Sequence, residues 1–117
     1  MQVSLASDTV AGQTVLFVGG EVDMYSAPTL RDRLTDLIDS GHSTVIVDLS
    51  DVGFLDSTAL GTLVAARTNA TERGGALPLV CGHERVLKLF RITGLDAVFD
   101  IHPTIDDAVQ ALPNSTE

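Results

Sequence analysis

The feature that most constrains the fold is an apolar, β-branched run near the middle of the chain, Thr44-Val45-Ile46-Val47-Asp48-Leu49. β-Branched side chains favour extended backbone. A strand this apolar is typical of the interior of a sheet that is covered on both faces. We therefore expect residues 44–49 to form the central strand of an α/β domain, with helices packed on the sheet.

The flanking segments alternate between strand and helix patterns. Strands are predicted by apolar content or period-two alternation at 3–7, 14–18, 77–81 and 97–99. Helices are predicted by apolar residues at helical spacing within 30–38, 59–70, 86–92 and 105–112. The order β-β-α-β-α-β-α-β-α implies right-handed crossovers and a mixed, mostly parallel sheet with an antiparallel N-terminal edge strand. We expect one domain over residues 1–117, with a frayed polar tail from about residue 113.

Local signals mark where these elements begin and end. Ser26 is a candidate N-cap of the first helix, and the Gly19-Gly20 pair is expected to break or bulge the second strand. Residues 50–55 are expected to form a loop between the central strand and the second helix. Either Asp56 or Ser57 can cap that helix, and the sequence leaves both possibilities open.

Composition excludes several classes of function. The 117 residues carry 16 acidic and 7 basic side chains, a formal net charge of -9. So few basic groups argue against direct binding to nucleic acid or to an anionic membrane surface. The first residues lack the features of a secretion signal, so we expect a cytoplasmic protein. The single cysteine, Cys81, is expected to be a buried strand residue without a redox role.

The sequence contains little that indicates catalysis. The three histidines, His42, His83 and His102, are scattered, and none of them is paired at the spacing of metal ligands. No glycine-rich segment has the lysine of a nucleotide-binding loop, and Ser57 lacks the Gly-x-Ser-x-Gly context of a hydrolase nucleophile. We therefore expect a protein that is not an enzyme and that uses no metal or cofactor.

Ser57 is the most informative polar residue, because it opens a helix directly after the central strand region. Functional residues of open α/β sheets collect at the carboxyl ends of the strands. A helix start also presents free N–H groups, so a phosphate on Ser57 would lie among hydrogen-bond donors. The structural alternative is that Ser57 is a plain N-cap.

Three segments together resemble a known family. They are Gly20-Glu21-Val22-Asp23, Val47-Asp48-Leu49-Ser50 and Phe54-Leu55-Asp56-Ser57-Thr58-Ala59-Leu60-Gly61. This pattern resembles the STAS domain of bacterial anti-anti-sigma factors over nearly the whole chain. The departures are small: Ala59 stands where glycine is common, and Thr58 adds a second hydroxyl one place from the acceptor position.

The resemblance implies a partner switch that operates through Ser57. The unphosphorylated protein would bind an anti-sigma factor that is also an ATP-binding serine kinase, and would thereby release the sigma factor. That kinase would phosphorylate Ser57 and end the binding, and a separate metal-dependent phosphatase would reset it. Asp23 and Asp56 would flank Ser57 at the interface, with Thr58 and Asp51 also in the partner-binding patch.

The distribution of charge supports an acidic docking face. Residues 1–58 carry nine acidic and two basic side chains, whereas residues 59–117 carry seven acidic and five basic side chains.

A different class of function remains open, namely a STAS-fold module that senses a small ligand or acts as a scaffold, with binding that does not depend on Ser57. The oligomeric state is left open between a monomer and a weak dimer.

Overall fold

The computed structural model describes residues 3–113. Its strands are β1 (Val3–Val10), β2 (Gln13–Val22), β3 (Val45–Leu55), β4 (Leu79–Val80) and β5 (Ile101–His102). Its helices are α1 (Ala27–Asp39), α2 (Ser57–Glu72), α3 (Glu84–Thr93) and α4 (Ile105–Ala111), with a 3₁₀ turn at Leu95–Ala97. The sheet order is β1-β2-β3-β4-β5; β1 is antiparallel to β2, and the other pairs are parallel. The predicted α/β class, antiparallel edge and central position of the 44–49 segment are confirmed.

Two apolar clusters fill the faces of the sheet. The larger lies under α1, α2 and α3 and includes Leu34, Leu63 and Phe90. The smaller joins the opposite face to α4 through Ile46 and Ala108. The alternation of side chains along β2 and β3 supplies both clusters, because successive residues of a strand point to opposite faces. The central strands are therefore covered on both sides, as the apolar run predicted.

The prediction of a loop at residues 50–55 is wrong, because β3 continues to Leu55. Polar residues and a glycine gave this segment the composition of a loop. The second half of β2 nevertheless pairs with it up to Val22 opposite Leu55, with register shifts around Gly19 and Gly20 that confirm the predicted bulge. The long partner strand supplies the hydrogen bonds that hold this segment extended. As a consequence, only Asp56 separates the end of β3 from the start of α2.

The strand predicted at 97–99 is also wrong. Gly94 ends α3 in the left-handed region, at a φ of 76°, and the chain continues into the 3₁₀ turn instead. The apolar Phe99 side chain, which suggested a strand, instead packs edge-to-face on Phe90, with ring centroids 5.8 Å apart. The last strand follows at Ile101–His102. The polar tail predicted to fray lies, from residue 114, outside the described residues.

Candidate functional site

The start of α2 shows which residue caps the helix. The Asp56 carboxylate accepts a hydrogen bond from the Ala59 N–H at 2.9 Å, and the Asp56 carbonyl accepts one from the Leu60 N–H at 3.0 Å. Asp56 is therefore the N-cap, and Ser57 is the first residue of the helix. Because Asp56 satisfies the helix terminus, the Ser57 side chain is exposed to solvent and is not used as a cap.

Asp56 also ties α2 to the loop between β2 and α1. Its second carboxylate oxygen accepts the Met24 N–H at 2.9 Å. Its own N–H donates to the Val22 carbonyl at 3.1 Å and so continues the pairing of β2 with β3. One side chain therefore fixes the position of the helix start relative to a loop 32 residues away in sequence.

The loop at residues 23–26 is itself held by Asp23. One oxygen of the Asp23 carboxylate accepts the N–H groups of Tyr25 and Ser26 at 2.9 and 3.0 Å. These bonds, the one from Ser26 first, favour the ionised carboxylate and hold the pKa of Asp23 below its ordinary value. The Asp23 carbonyl also accepts the N–H of Ala27, the first residue of α1, at 2.7 Å. Asp23 is thus a structural anchor of the loop, whatever it contacts in a partner.

Ser26 occupies the N-cap position of α1, but its side chain does not cap the helix, so the prediction is wrong in that respect. Its hydroxyl is turned inward and donates to the Glu21 carbonyl at 3.0 Å. The same oxygen accepts the Asp23 N–H at 3.0 Å. Ser26 is only 8% exposed and is the one buried polar residue in the part of the chain described.

Exposed apolar side chains lie near the start of α2, and sequence reasoning assigned none of them to the site. Tyr25 is 84% exposed and Met24 is 60% exposed, on the loop that Asp56 holds against the start of α2. Phe54, three residues before Ser57 along the chain, is also exposed. The available signal was a Met-Tyr pair that fits neither a strand alternation nor a helical stripe. Large apolar residues outside any such pattern are candidates for contact with a partner.

The structure separates Asp51 from the other predicted partner-binding residues. Asp23, Asp56, Ser57 and Thr58 lie together where β2 and β3 end. Asp51 lies earlier on β3, opposite Gly19, and the four steps along the strand from Asp51 to Leu55 cover about 13 Å. The predicted group is thus divided in two.

Asp51 faces a different surface, a shallow groove that it shares with His83 and Arg85. In that groove the Arg85 guanidinium approaches the Gly53 carbonyl at 3.5 Å.

Among residues 3–113, no three His, Cys, Asp or Glu side chains are grouped so as to hold a metal ion. None of the helices in that range has the length and apolar character that a membrane span requires.

Cys81 is buried, as predicted, but it lies just past the end of β4 and not within a strand; burial raises the pKa of its thiol. A raised pKa keeps the thiol protonated at neutral pH, and the protonated form is a poor nucleophile. The strand predicted at 77–81 is shorter than expected, since β4 consists of two residues.

Comparison with known proteins identifies the family. The STAS domain model matches residues 4–108. The chain is 41% identical over 93 residues to the anti-sigma-B factor antagonist of Bacillus subtilis strain 168, covering 80% of this chain and 84% of that protein. It is 35% identical over 86 residues to the protein of the same name from Listeria monocytogenes, covering 74% and 75%. The crystal structure of an anti-sigma factor antagonist from Mycobacterium paratuberculosis matches with a TM-score of 0.88 at 29% identity, over 97% and 96% of the two chains. The chain therefore belongs to the family of STAS-domain anti-sigma factor antagonists.

Proposed function

We propose that the chain antagonises an anti-sigma factor, and that phosphorylation of Ser57 switches the antagonism off. The observation that carries this proposal is an exposed Ser57 hydroxyl, which is not needed as a cap, beside the exposed side chains of Met24 and Tyr25. A serine in this setting is open to a kinase, and the apolar neighbours offer contact area to the same partner. As a member of a family of regulatory proteins, the chain is not an enzyme.

The unphosphorylated surface is well suited to docking. Tyrosine is among the residues most often found at the energetic centre of interfaces, because it buries a large area at little cost in conformational entropy. The loop that carries Tyr25 is fixed at both ends, by Asp23 and by the bond from Met24 to Asp56. Little ordering of the backbone remains for the moment of binding, which favours affinity. Binding of the anti-sigma factor at this surface would displace its sigma factor.

The partner supplies the chemistry of the switch. The Ser57 oxygen attacks the γ-phosphorus of ATP, the bond to the bridging oxygen breaks, and ADP leaves. The hydroxyl proton passes to a base of the kinase, which also binds the Mg²⁺ that neutralises the phosphates. The contribution of this chain is to hold Ser57 at the rigid first turn of α2, where a kinase can reach it.

Phosphorylation changes the charge of this surface more than its shape. A phosphoserine adds about −1.5 to −2 charge units at neutral pH. The first N–H groups of α2, those of Ser57 and Thr58, have no acceptor within the helix and can bind the phosphate locally. The Asp56 and Asp23 carboxylates lie close by and make the modified surface strongly anionic. The expected result is loss of docking without refolding.

The experiment uses the anti-sigma factor kinase from the same organism, with ATP, and the full chain. Wild type should incorporate one phosphate, and Ser57→Ala should incorporate none. Thr58→Ala is the matched control, since it removes the neighbouring exposed hydroxyl and should be phosphorylated normally. Ser57→Asp should weaken the complex at least about tenfold by calorimetry. Phosphate on Ser57→Ala at another residue would refute the assignment.

The same complex separates this proposal from a ligand-sensing or scaffolding STAS module. For such a module, wild type and Ser57→Asp should bind the anti-sigma factor equally.

The proposed cycle also requires a phosphatase that removes the phosphate from Ser57. A protein that acts on a sigma factor in this way would work in the cytoplasm with the transcription machinery. Recovery of kinase binding after phosphatase treatment of the phosphorylated chain tests the reset.

A further inference from the structure

The two edges of the sheet differ in length. One edge is β5, which has two residues, and the other is β1, which has eight. An edge strand presents a row of unpaired N–H and C=O groups, which is a template for pairing with another strand. The β1 edge is therefore the larger hydrogen-bonding surface of this kind within residues 3–113.

The turn between β1 and β2 determines which groups of β1 point outward. Ala11 and Gly12 form a two-residue turn, both with positive φ (51° and 80°), and Val10 pairs with Gln13. In such a hairpin the closing pair is hydrogen-bonded, and bonded and non-bonded pairs alternate from there. The N–H and C=O groups of Val10, Asp8, Ala6 and Ser4 consequently point to β2. Those of the odd-numbered residues point away from the sheet: Thr9, Ser7, Leu5 and Val3.

A side chain already blocks one end of this outward row. The Thr9 N–H donates to the Asp8 carboxylate at 2.7 Å. This bond agrees with the outward direction of Thr9 and satisfies its donor. The open part of the edge is therefore Val3, Leu5 and Ser7.

The open part lacks the usual protection against pairing. Natural edge strands are commonly protected by lysine, by proline or by a bulge. The segment Val3-Ser4-Leu5-Ala6-Ser7 contains no charged residue and no proline. Its pairing with β2 is continuous, with no register shift. It is a regular, uncharged edge over about five residues.

The surface beside this edge is partly apolar and carries charges of both signs. Val3 and Leu5 pack against the larger core cluster but are only half-buried. They line a groove with α1, to which that helix contributes Asp32, Asp36 and Arg33. A second β1 strand would cover the half-exposed apolar side chains. It would also bring the carboxylates of one α1 near the guanidinium of the other, a self-complementary arrangement.

We propose that β1 is a contact surface for a second copy of this chain. The two β1 strands pair antiparallel across a two-fold axis at Leu5, with Val3 of each copy opposite Ser7 of the other. The pairing forms about six backbone hydrogen bonds and joins the two sheets into one. The net charge of -9 on each copy opposes the approach, so the dimer is weak and is strengthened by salt.

Amide exchange measured by NMR at about 20 µM and about 1 mM, in about 0.3 M salt, tests the register directly. Exchange at Leu5 and Ser7 should slow about tenfold or more at the higher concentration. The amides of Ala6, bonded within the hairpin, and of Thr9, bonded to Asp8, are internal controls and should not change. Uniform exchange at the two concentrations, with a monomeric mass throughout, would overturn the proposal.

Variants at Ser7 separate edge pairing from other modes of association. Ser7→Pro removes an outward N–H that makes no bond within the hairpin, and proline is tolerated at such an edge position. Because the interface is two-fold symmetric, the dimer loses this hydrogen bond twice. The dissociation constant of the dimer, measured by sedimentation, should therefore be at least about tenfold higher than for Ser7→Ala, the matched control. Ser7→Glu adds negative charge to each copy at an exposed position and should have the same effect, which covers a failure of the proline variant to fold. Equal self-association by wild type, Ser7→Pro and Ser7→Glu contradicts the proposed interface.

Discussion

Ser26 and Ser57 hold nearly equivalent places in the fold but have opposite environments. Each lies where a helix begins after one of two neighbouring parallel strands, β2 and β3. Ser26 is 8% exposed, and its hydroxyl bonds to the backbone of Glu21 and Asp23. Ser57 is exposed, and the capping bond at its helix comes from Asp56.

The difference shows that the residue before a serine can decide whether its hydroxyl is free. At α2, a carboxylate in the N-cap position takes the helix N–H, so the following serine points to solvent. At α1, no carboxylate holds that position, and the serine itself is turned into the loop. At the start of α2 another group satisfies the backbone, which leaves the Ser57 side chain available for the proposed modification.

The largest effect is expected from removing that group. Asp56→Ala eliminates the cap of α2 and the bond to the Met24 N–H, so it should lower the free energy of unfolding by about 2 to 3 kcal/mol. Asp51→Ala removes an exposed carboxylate from β3 and is the control, with a change of less than about 0.5 kcal/mol. Urea unfolding followed by circular dichroism measures both. Equal stability of the two variants would mean that Asp56 does not organise the site.

Exchanging each serine for alanine tests the comparison itself. Ser26→Ala leaves the Asp23 N–H and the Glu21 carbonyl without their partner in a buried place, and should cost about 1 to 2 kcal/mol of stability. Ser57→Ala should change stability by less than about 0.5 kcal/mol, while it abolishes phosphorylation. Ser26→Ala should still be phosphorylated. The reverse pattern would show that the two serines have been assigned the wrong roles.

The exposed tyrosine beside Ser57 should matter for binding and not for folding. Tyr25→Ala should weaken the complex with the anti-sigma factor by about 1 to 2 kcal/mol, or roughly tenfold, because its side chain is free in the isolated protein. Ile92→Ala is the control, as Ile92 is 69% exposed on α3 and is not part of the proposed docking surface. Calorimetric titration measures the affinities, and thermal melts confirm that both variants are folded. A larger loss for the Ile92 variant would move the docking surface to α3.

The smallest effect concerns acid pH and the Asp23 loop. The pKa of Asp23 is lower in the folded protein than its ordinary value of 3.8, because backbone N–H groups stabilise the carboxylate. Its contribution to stability is therefore present above that value and is lost as the pH falls through the folded pKa. Between about pH 6 and about pH 3, wild type should lose more stability than Asp23→Asn. Parallel losses in urea unfolding would show that the carboxylate charge does not hold the loop.

The sequence predicted most of the elements, and its two clear errors share a cause. Residues 50–55 lack a strand pattern but form a strand because β2 pairs with them. Residues 97–99 have the apolar content of a strand but pack as a turn, since Phe99 contacts Phe90. In both segments a tertiary contact, with β2 in the first case and with Phe90 in the second, overrode local propensity. Patterns in a sequence report burial more directly than they report backbone geometry.

The sequence by itself determined the α/β class, the central strand, the family resemblance and Ser57 as the candidate modification site. These follow from local periodicity and from a short motif, both of which are properties of neighbouring residues. Only the tertiary structure decided that Asp56 is the cap, and that Met24 and Tyr25 lie exposed beside Ser57. The reason is that the bond between Met24 and Asp56 spans 32 residues, and no local rule specifies such a contact.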